Sequence, residues 1–230
     1  TLRSLGDERM RGLVEAFEYM PDTYQRRLRA LRPDLGVNLP ETHPVSILVE
    51  LGATAPRDAT PGPDGGLPLQ ELLMAALEPA LEDGTVSDAI LASSEEQRRA
   101  IWARREAAAD ITFGPEPFID SDIALPLDKV ATFLARIEPE LQRLDPGAGS
   151  IVVGHLGDGN LHYSALPTRD DPALYDAVVE AVEEIVADLG GSFSAEHGIG
   201  LMKQPSMARR KDPVALEVMR AIKAALDPKN

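Results

Sequence analysis

Nine residues constrain this chain more than any others: Gly154-His155-Leu156-Gly157-Asp158-Gly159-Asn160-Leu161-His162. Asp-Gly between short apolar-containing runs signals a two-residue hairpin turn, because both central residues of that turn need φ > 0. Counting outward from Asp158-Gly159 sets Gly157 against Asn160, Leu156 against Leu161 and His155 against His162. Directly opposed residues on an antiparallel ribbon have Cβ atoms roughly 4.5–5.5 Å apart and share a face. Two imidazoles held that close suit one metal ion. The leucine pair on the other face fixes the register.

Bulk properties narrow the classes. At 230 residues the chain is long enough for one large domain or two small ones. A formal net charge of −15 argues against nucleic acid as a partner, since a phosphate backbone is repelled. With no cysteine there is no disulfide framework and no thiolate metal site, so a metal would be held by imidazole and carboxylate. No run of about 18 apolar residues is present, which gives no transmembrane helix. The chain starts at Thr1 without a signal-peptide pattern and stops at Asn230 without a tail. Both ends read as cuts in a longer chain.

Patterning places the elements. Residues 12–20 read as a strand or the start of a helix, and 22–32 as a helix. After Pro44 the run 45–51 reads as a strand, and the Pro/Gly/Asp-rich stretch 55–68 as a loop. Apolar residues at helical spacing (Leu69, Leu72, Leu73, Ala76, Leu77) predict a helix over 69–83. Residues 86–92 read as a strand. Ser93 or Ser94 then caps a helix to about Ala109, with Glu96 placed for a capping box. Further on come a strand over 119–125, a helix over 128–143 and the hairpin strands 150–156 and 161–166. Asp171-Pro172 starts a helix that Gly190-Gly191 ends, and 192–196 reads as a strand. A last helix covers 213–226. The order from 119 to 196 is β-α-β-β-α-β, the split βαβ pattern of ferredoxin-like sheets. The expected fold class is α+β: a ferredoxin-like antiparallel sheet with helices on one face. The βα-rich first half makes duplication a topological option.

Four histidines are present: His43, His155, His162 and His197. His43, between Thr42 and Pro44, reads as a loop residue. His197 lies in a second glycine-flanked segment, Ser194-Ala195-Glu196-His197-Gly198-Ile199-Gly200-Leu201-Met202-Lys203. In a regular strand Glu196 and His197 point to opposite faces. Gly198 and Gly200 let the backbone turn so that both reach one site. Glu196 then completes a His₂Glu set with His155 and His162, suited to a catalytic Zn²⁺, Mn²⁺ or Fe²⁺. The competing readings are a surface histidine pair on a plain turn, and a phosphate loop over 154–159. The loop reading is weak because no helix follows. Arg104, Arg105 and Lys203 offer cations to a carboxylate substrate, though at least one of the two arginines belongs on a solvated helix face. Arg209-Arg210-Lys211 reads as an exposed basic turn, and Asp158 as a turn residue instead of an acid catalyst.

Taken together, these segments resemble the C-terminal half of FAD-linked oxidases of the vanillyl-alcohol-oxidase type. That group includes D-lactate dehydrogenases, D-2-hydroxyglutarate dehydrogenases and the glycolate oxidase flavin subunit. The resemblance rests on the 154–162 and 194–200 segments, on Trp102 with Arg105-Glu106, on Asp122-Ile123-Ala124-Leu125-Pro126, and on the close from Ala221 to Asn230. It covers nearly the whole chain. It implies that residues 1–230 form a cap and substrate domain, with FAD held mainly by an N-terminal domain, so that this chain alone is inactive. It implies a divalent metal, Zn or Mn, on His155, His162 and Glu196, with His197 as general base. It puts Arg105, Ser164 and Lys203 at the substrate and Asn160 at the cofactor. The metal acidifies the 2-hydroxyl, His197 takes its proton, and the C2 hydride passes to flavin. Ser164 stands where relatives often carry Asn, and Ala109 where some carry a hydroxyl. Asp120 stands where Lys is common, which points away from 2-hydroxyglutarate. The partner implied is a small 2-hydroxyacid; the electron acceptor is not readable. A homodimer fits the resemblance. So does a cytoplasmic location, with the periphery of a membrane as the variant. The rivals are a non-catalytic ferredoxin-like ligand-binding module and a flavin-independent metallohydrolase.

Overall fold

A computed structural model describes residues 12–35, 43–53, 55–63, 65–113 and 116–229. In chain order its elements are β1 (Val14–Pro21), α1 (Asp22–Leu31), β2 (Val45–Leu51), α2 (Pro56–Ala59), α3 (Pro68–Glu82), α4 (Glu95–Glu106), α5 (Ala108–Thr112), β3 (Ile119–Ala124), a 3₁₀ turn (Leu127–Lys129), α6 (Val130–Leu144), β4 (Gly149–His155), β5 (Asn160–Leu166), α7 (Pro172–Asp188), α8 (Gln204–Arg210) and α9 (Pro213–Leu226). They divide into two compact units. One runs up to Glu116 and includes Ile151–Gly157; the other comprises Pro117–Ser150 and the chain from Asp158. The α+β class is as expected. No described helix is long and apolar enough to cross a membrane.

In the first unit β1 pairs antiparallel with β2 (Phe17 opposite Val49, Glu18 opposite Leu48) and with β4 (Glu18 opposite His155). Phe17, Met20, Tyr24, Leu28, Leu48 and Ile111 form its core. Tyr24 of α1 is fully buried and donates its hydroxyl to the Arg104 carbonyl at 2.5 Å, tying α1 to α4. Burial pushes that phenol up to about 12. At the start of α4, Ser94 accepts from Gln97 N (3.2 Å) while Gln97 Oε1 accepts from Ser93 N (2.7 Å). The reciprocal partner is therefore Gln97 and not Glu96, because Gln97 is the third helical residue after Ser94.

In the second unit β3 and β5 run antiparallel, and α7 packs on both α6 and β3. The reason is legible in the pattern. Val130, Phe133, Ile137 and Leu141 recur at helical spacing on α6, and all are buried. Phe133 meets Tyr163 of β5 edge-on, with ring centroids 5.8 Å apart. Period-two alternation then leaves Asp120, Asp122, His162 and Ser164 on one face of the β3–β5 pair, opposite Ile119, Ile123, Leu161, Tyr163 and Ala165. Asp171 caps α7 by accepting from Ala173 N at 3.0 Å, and Pro172 supplies the first helical residue.

Several expectations change. The two-residue turn at Asp158-Gly159 is instead a four-residue turn, Leu156 to Gly159. Each end has a stronger partner elsewhere: Leu156 N donates to Phe17 O at 2.8 Å, extending the β1–β4 ladder, and Gly159 O accepts from Leu125 N at 3.0 Å. Gly159 has φ +82°, and a Cβ there would sit 2.0 Å from Leu125 O, so glycine is obligatory. Asp158 is a turn residue as expected, its carboxylate accepting from Asn160 N at 3.1 Å. Residues 86–92 form no strand. Val86 N is taken by Ala80 O (2.8 Å) and Ala92 O by Gln70 Nε2 (3.3 Å), so α3 satisfies backbone groups that a ladder would need. Residues 192–196 make a single bridge, Ala124 to Ser192, and then leave the sheet. Arg209 is exposed as expected and Arg210 half-buried, but the pair lies in a helix and not a turn. They end α8, and both pair at 3.2 Å with the buried Glu183 of α7.

Candidate active site

The second unit builds its site on one buried carboxylate. β3–β5 pairing sets Asp122 opposite His162 and Asp120 opposite Ser164. Asp122 is 1% exposed. Its Oδ2 accepts from His197 N at 2.8 Å, Glu196 N at 3.1 Å and Ala195 N at 3.2 Å. Lys203 Nζ lies 3.2 Å from the same oxygen. Burial by itself raises the Asp122 carboxyl, but the His197 and Glu196 N–H groups and the ammonium outweigh it and hold the group below its ordinary range. Ala195 N also reaches the β3 backbone at Asp122 O (3.2 Å), but the Glu196 and His197 N–H groups turn to the Asp122 side chain, and there the segment leaves the sheet.

That wrapping delivers Glu196 and His197 to His162. Glu196 Oε1 is 3.2 Å from His162 Nε2 and 3.8 Å from His197 Nε2. The His162 and His197 rings stack with centroids 5.0 Å apart and planes 22° apart. His197 Nδ1 is 4.0 Å from Asp122 Oδ2. The glycines act as expected, with φ +74° at Gly198 and +52° at Gly200. Sequence reasoning quoted Asp122 within a motif but gave it no role in the site. The available signal was a second aspartate within a short strand, a residue type depleted there.

The other expected residues of this unit have definite partners. Lys203, expected at the substrate, directs its ammonium at Asp122 Oδ2 (3.2 Å), Asp122 O (3.4 Å) and Ser194 Oγ (3.0 Å). Those contacts use its three N–H donors, so it braces the Asp122 turn. Ser164 is buried on the His162 face and donates to Asp120 Oδ1 at 2.8 Å. Asn160 is buried, and its Oδ1 has no hydrogen-bond donor among the described residues.

The first unit holds a triad in which a buried ion pair meets a half-buried imidazole. Arg105, 7% exposed, donates from Nε to Glu18 Oε2 at 2.8 Å. His155 Nδ1 lies 2.9 Å from Glu18 Oε1, and Arg105 Nη2 lies 3.4 Å from His155 Nε2. A buried guanidinium needs such a partner. Arg104 points elsewhere, donating to Leu35 O at 3.0 Å. Glu18 was not found from sequence, where it looks like any polar residue of a half-exposed strand. His43 Nδ1 lies 3.1 Å from Ser87 Oγ, as a loop residue.

Ligand atoms of Asp122, His162 and His197 lie within 4.8 Å of one another. Asp122 Oδ2 is taken by three N–H groups and the Lys203 ammonium, and beside it the His162 imidazole and the Glu196 carboxylate offer donors that fit a divalent cation. That donor chemistry suits Zn²⁺ or Mn²⁺. The orphaned Asn160 oxygen likewise fits a hydrogen-bond donor supplied by a bound group such as a flavin ring N–H.

Residues 13–230 match the family of FAD linked oxidases, C-terminal domain. The chain belongs to that family. Over 219 residues it is 34% identical to the mitochondrial D-2-hydroxyglutarate dehydrogenase of Bos taurus, covering 94% of this chain and 37% of that protein. It is 30% identical to the D-2-hydroxyglutarate dehydrogenase of Stutzerimonas stutzeri, covering 94% of this chain and 45% of that one. The chain thus spans less than half the length of these relatives. A solved structure, 4-ethylphenol oxidase from Gulosibacter chungangensis in its isoeugenol complex, matches with a TM-score of 0.47 at 15% identity, over 93% of this chain and 45% of that one.

Proposed function

We propose that this chain is the substrate- and metal-binding part of an FAD-dependent dehydrogenase that oxidises a D-2-hydroxyacid to the 2-oxoacid. The observation that carries the reading is the Asp122-built cluster, which brings the imidazoles of His162 and His197 and the carboxylate of Glu196 together. His155, seven positions before His162 and on the strand before the shared turn, is the third ligand beside His162 and Glu196. A divalent cation held by this set would make the substrate 2-hydroxyl more acidic, and flavin, when bound, would supply the hydride acceptor. His197 takes the hydroxyl proton at a ring nitrogen, so that hydroxyl and C–H become a carbonyl, one proton and one hydride. Asn160 offers its amide oxygen to the flavin. Arg105, with Nε held by Glu18, offers its Nη donors to the substrate carboxylate.

The relatives' names point to 2-hydroxyglutarate, but Asp120 weighs against a second substrate carboxylate. It lies on the same strand face as Asp122, one pair along from His162, and Ser164 fixes it there. A monocarboxylic 2-hydroxyacid, or one whose far end donates hydrogen bonds, suits this anion better.

The test is anaerobic mixing of the full-length, flavin-loaded protein with D- and L-2-hydroxyacids. D-acids bleach the flavin in stoichiometric amount and L-acids do not. A flavin that no 2-hydroxyacid reduces overturns the reading.

A further inference from the structure

Glu18 lies within β1, 4% exposed, and its two oxygens take different partners: Arg105 Nε on Oε2 and His155 Nδ1 on Oε1. The triangle closes through Arg105 Nη2 and His155 Nε2 at 3.4 Å. A guanidinium only donates, so Nε2 is the acceptor at that contact and the ring proton sits on Nδ1. The Glu18 carboxylate accepts that same proton. Two independent neighbours therefore select one neutral tautomer, with the lone pair on Nε2. A carboxylate behind a ligating histidine fixes tautomer and ring orientation in this way in metal sites generally.

We propose that Glu18 is a positioning residue serving two groups at once. It sets the tautomer and ring plane of His155 for the metal, and it grips Arg105 by Nε so that the Nη donors are left for the substrate carboxylate. The inference rests on the roles proposed above for His155 and Arg105. It has a consequence for order. One lone pair serves one partner, so a cation at His155 Nε2 displaces Arg105 Nη2, and metal uptake hands that donor to the substrate.

The test starts with the metal-free wild-type chain carrying ¹⁵N-labelled histidine. His155, assigned by its loss in His155→Gln, shows the Nδ1–H tautomer in a long-range ¹H–¹⁵N spectrum. In Glu18→Gln the ring becomes a mixture of tautomers. Zn²⁺ or Mn²⁺ then binds about 10–100-fold more weakly, with Glu18→Asp recovering part of the loss. If Glu18→Gln fails to fold, the wild-type tautomer and the Glu18→Asp affinity carry the test. An Nε2–H tautomer in the wild type overturns the inference. So does unchanged metal affinity in Glu18→Gln, or in Glu18→Asp when that variant stands in for it. A chain that takes up no divalent cation overturns the metal reading, and the tautomer still decides the role of Glu18.

Discussion

Replacing His197 by alanine in the flavin-loaded enzyme lowers kcat by about 10²–10⁴, the range for a lost acid–base group. The size follows from where the ring is held. The His197 N–H is anchored on Asp122 at 2.8 Å, Nδ1 stands 4.0 Å from the same carboxylate, and the ring stacks on His162. The imidazole is thus placed next to a candidate metal ligand without a ligand's role of its own in the proposed set. Two further readouts separate a base from a structural residue. Metal stoichiometry stays that of the wild type, and added imidazole restores part of the rate. KM changes far less than kcat, because the proton transfer is made only in the transition state. A near-normal kcat rejects the role, and loss of the metal reassigns His197 as a ligand.

Asp122→Ala acts on the same site through its support. The substitution removes the acceptor of the Glu196 and His197 N–H groups and the counter-charge of Lys203, whose side chain is only 21% exposed, while Ala195 N keeps Asp122 O. Breaking a buried pair while leaving one partner costs about 3–5 kcal/mol. Amides left without an acceptor add to this wherever water does not reach them. The expected outcome is a urea midpoint shifted down with an unchanged slope, and fast hydrogen exchange at Glu196 and His197. Asp122→Asn keeps the shape but turns an NH₂ toward donors, so it stays impaired, which a purely steric role would not predict. An unchanged midpoint with protected Glu196 and His197 amides contradicts the account.

What sequence could reveal here depends on how far apart the partners lie. Periodicity located α6 and α7 and strands β2, β3 and β5 nearly to the residue, because each carries its buried side chains in its own local pattern, and Asp212-Pro213 marked the start of α9, although α9 buries no residue. Failures came where tertiary hydrogen bonds competed with that pattern. Residues 86–92 carry strand-like Val86, Ile90 and Leu91, yet α3 takes their backbone groups. Residues 192–196 carry a strand signature, yet a carboxylate some 70 positions earlier claims their N–H groups. In the hairpin the strands and histidines were legible, whereas the turn length was set by Phe17 and Leu125 from outside it. Glu18 and Asp122 escaped for a related reason. Their partners lie 87 and 137 positions away for Glu18, and 75 for Asp122 at His197. Nothing in local spacing marks a carboxylate as buried until those partners are in place.

The central claim is tested most directly on the chain itself. After dialysis against a chelator, calorimetric titration with Zn²⁺ or Mn²⁺ gives one site per chain, and His162→Ala and Glu196→Ala each abolish it while His43→Ala does not. No saturable uptake, or uptake that survives loss of both His162 and Glu196, contradicts the account.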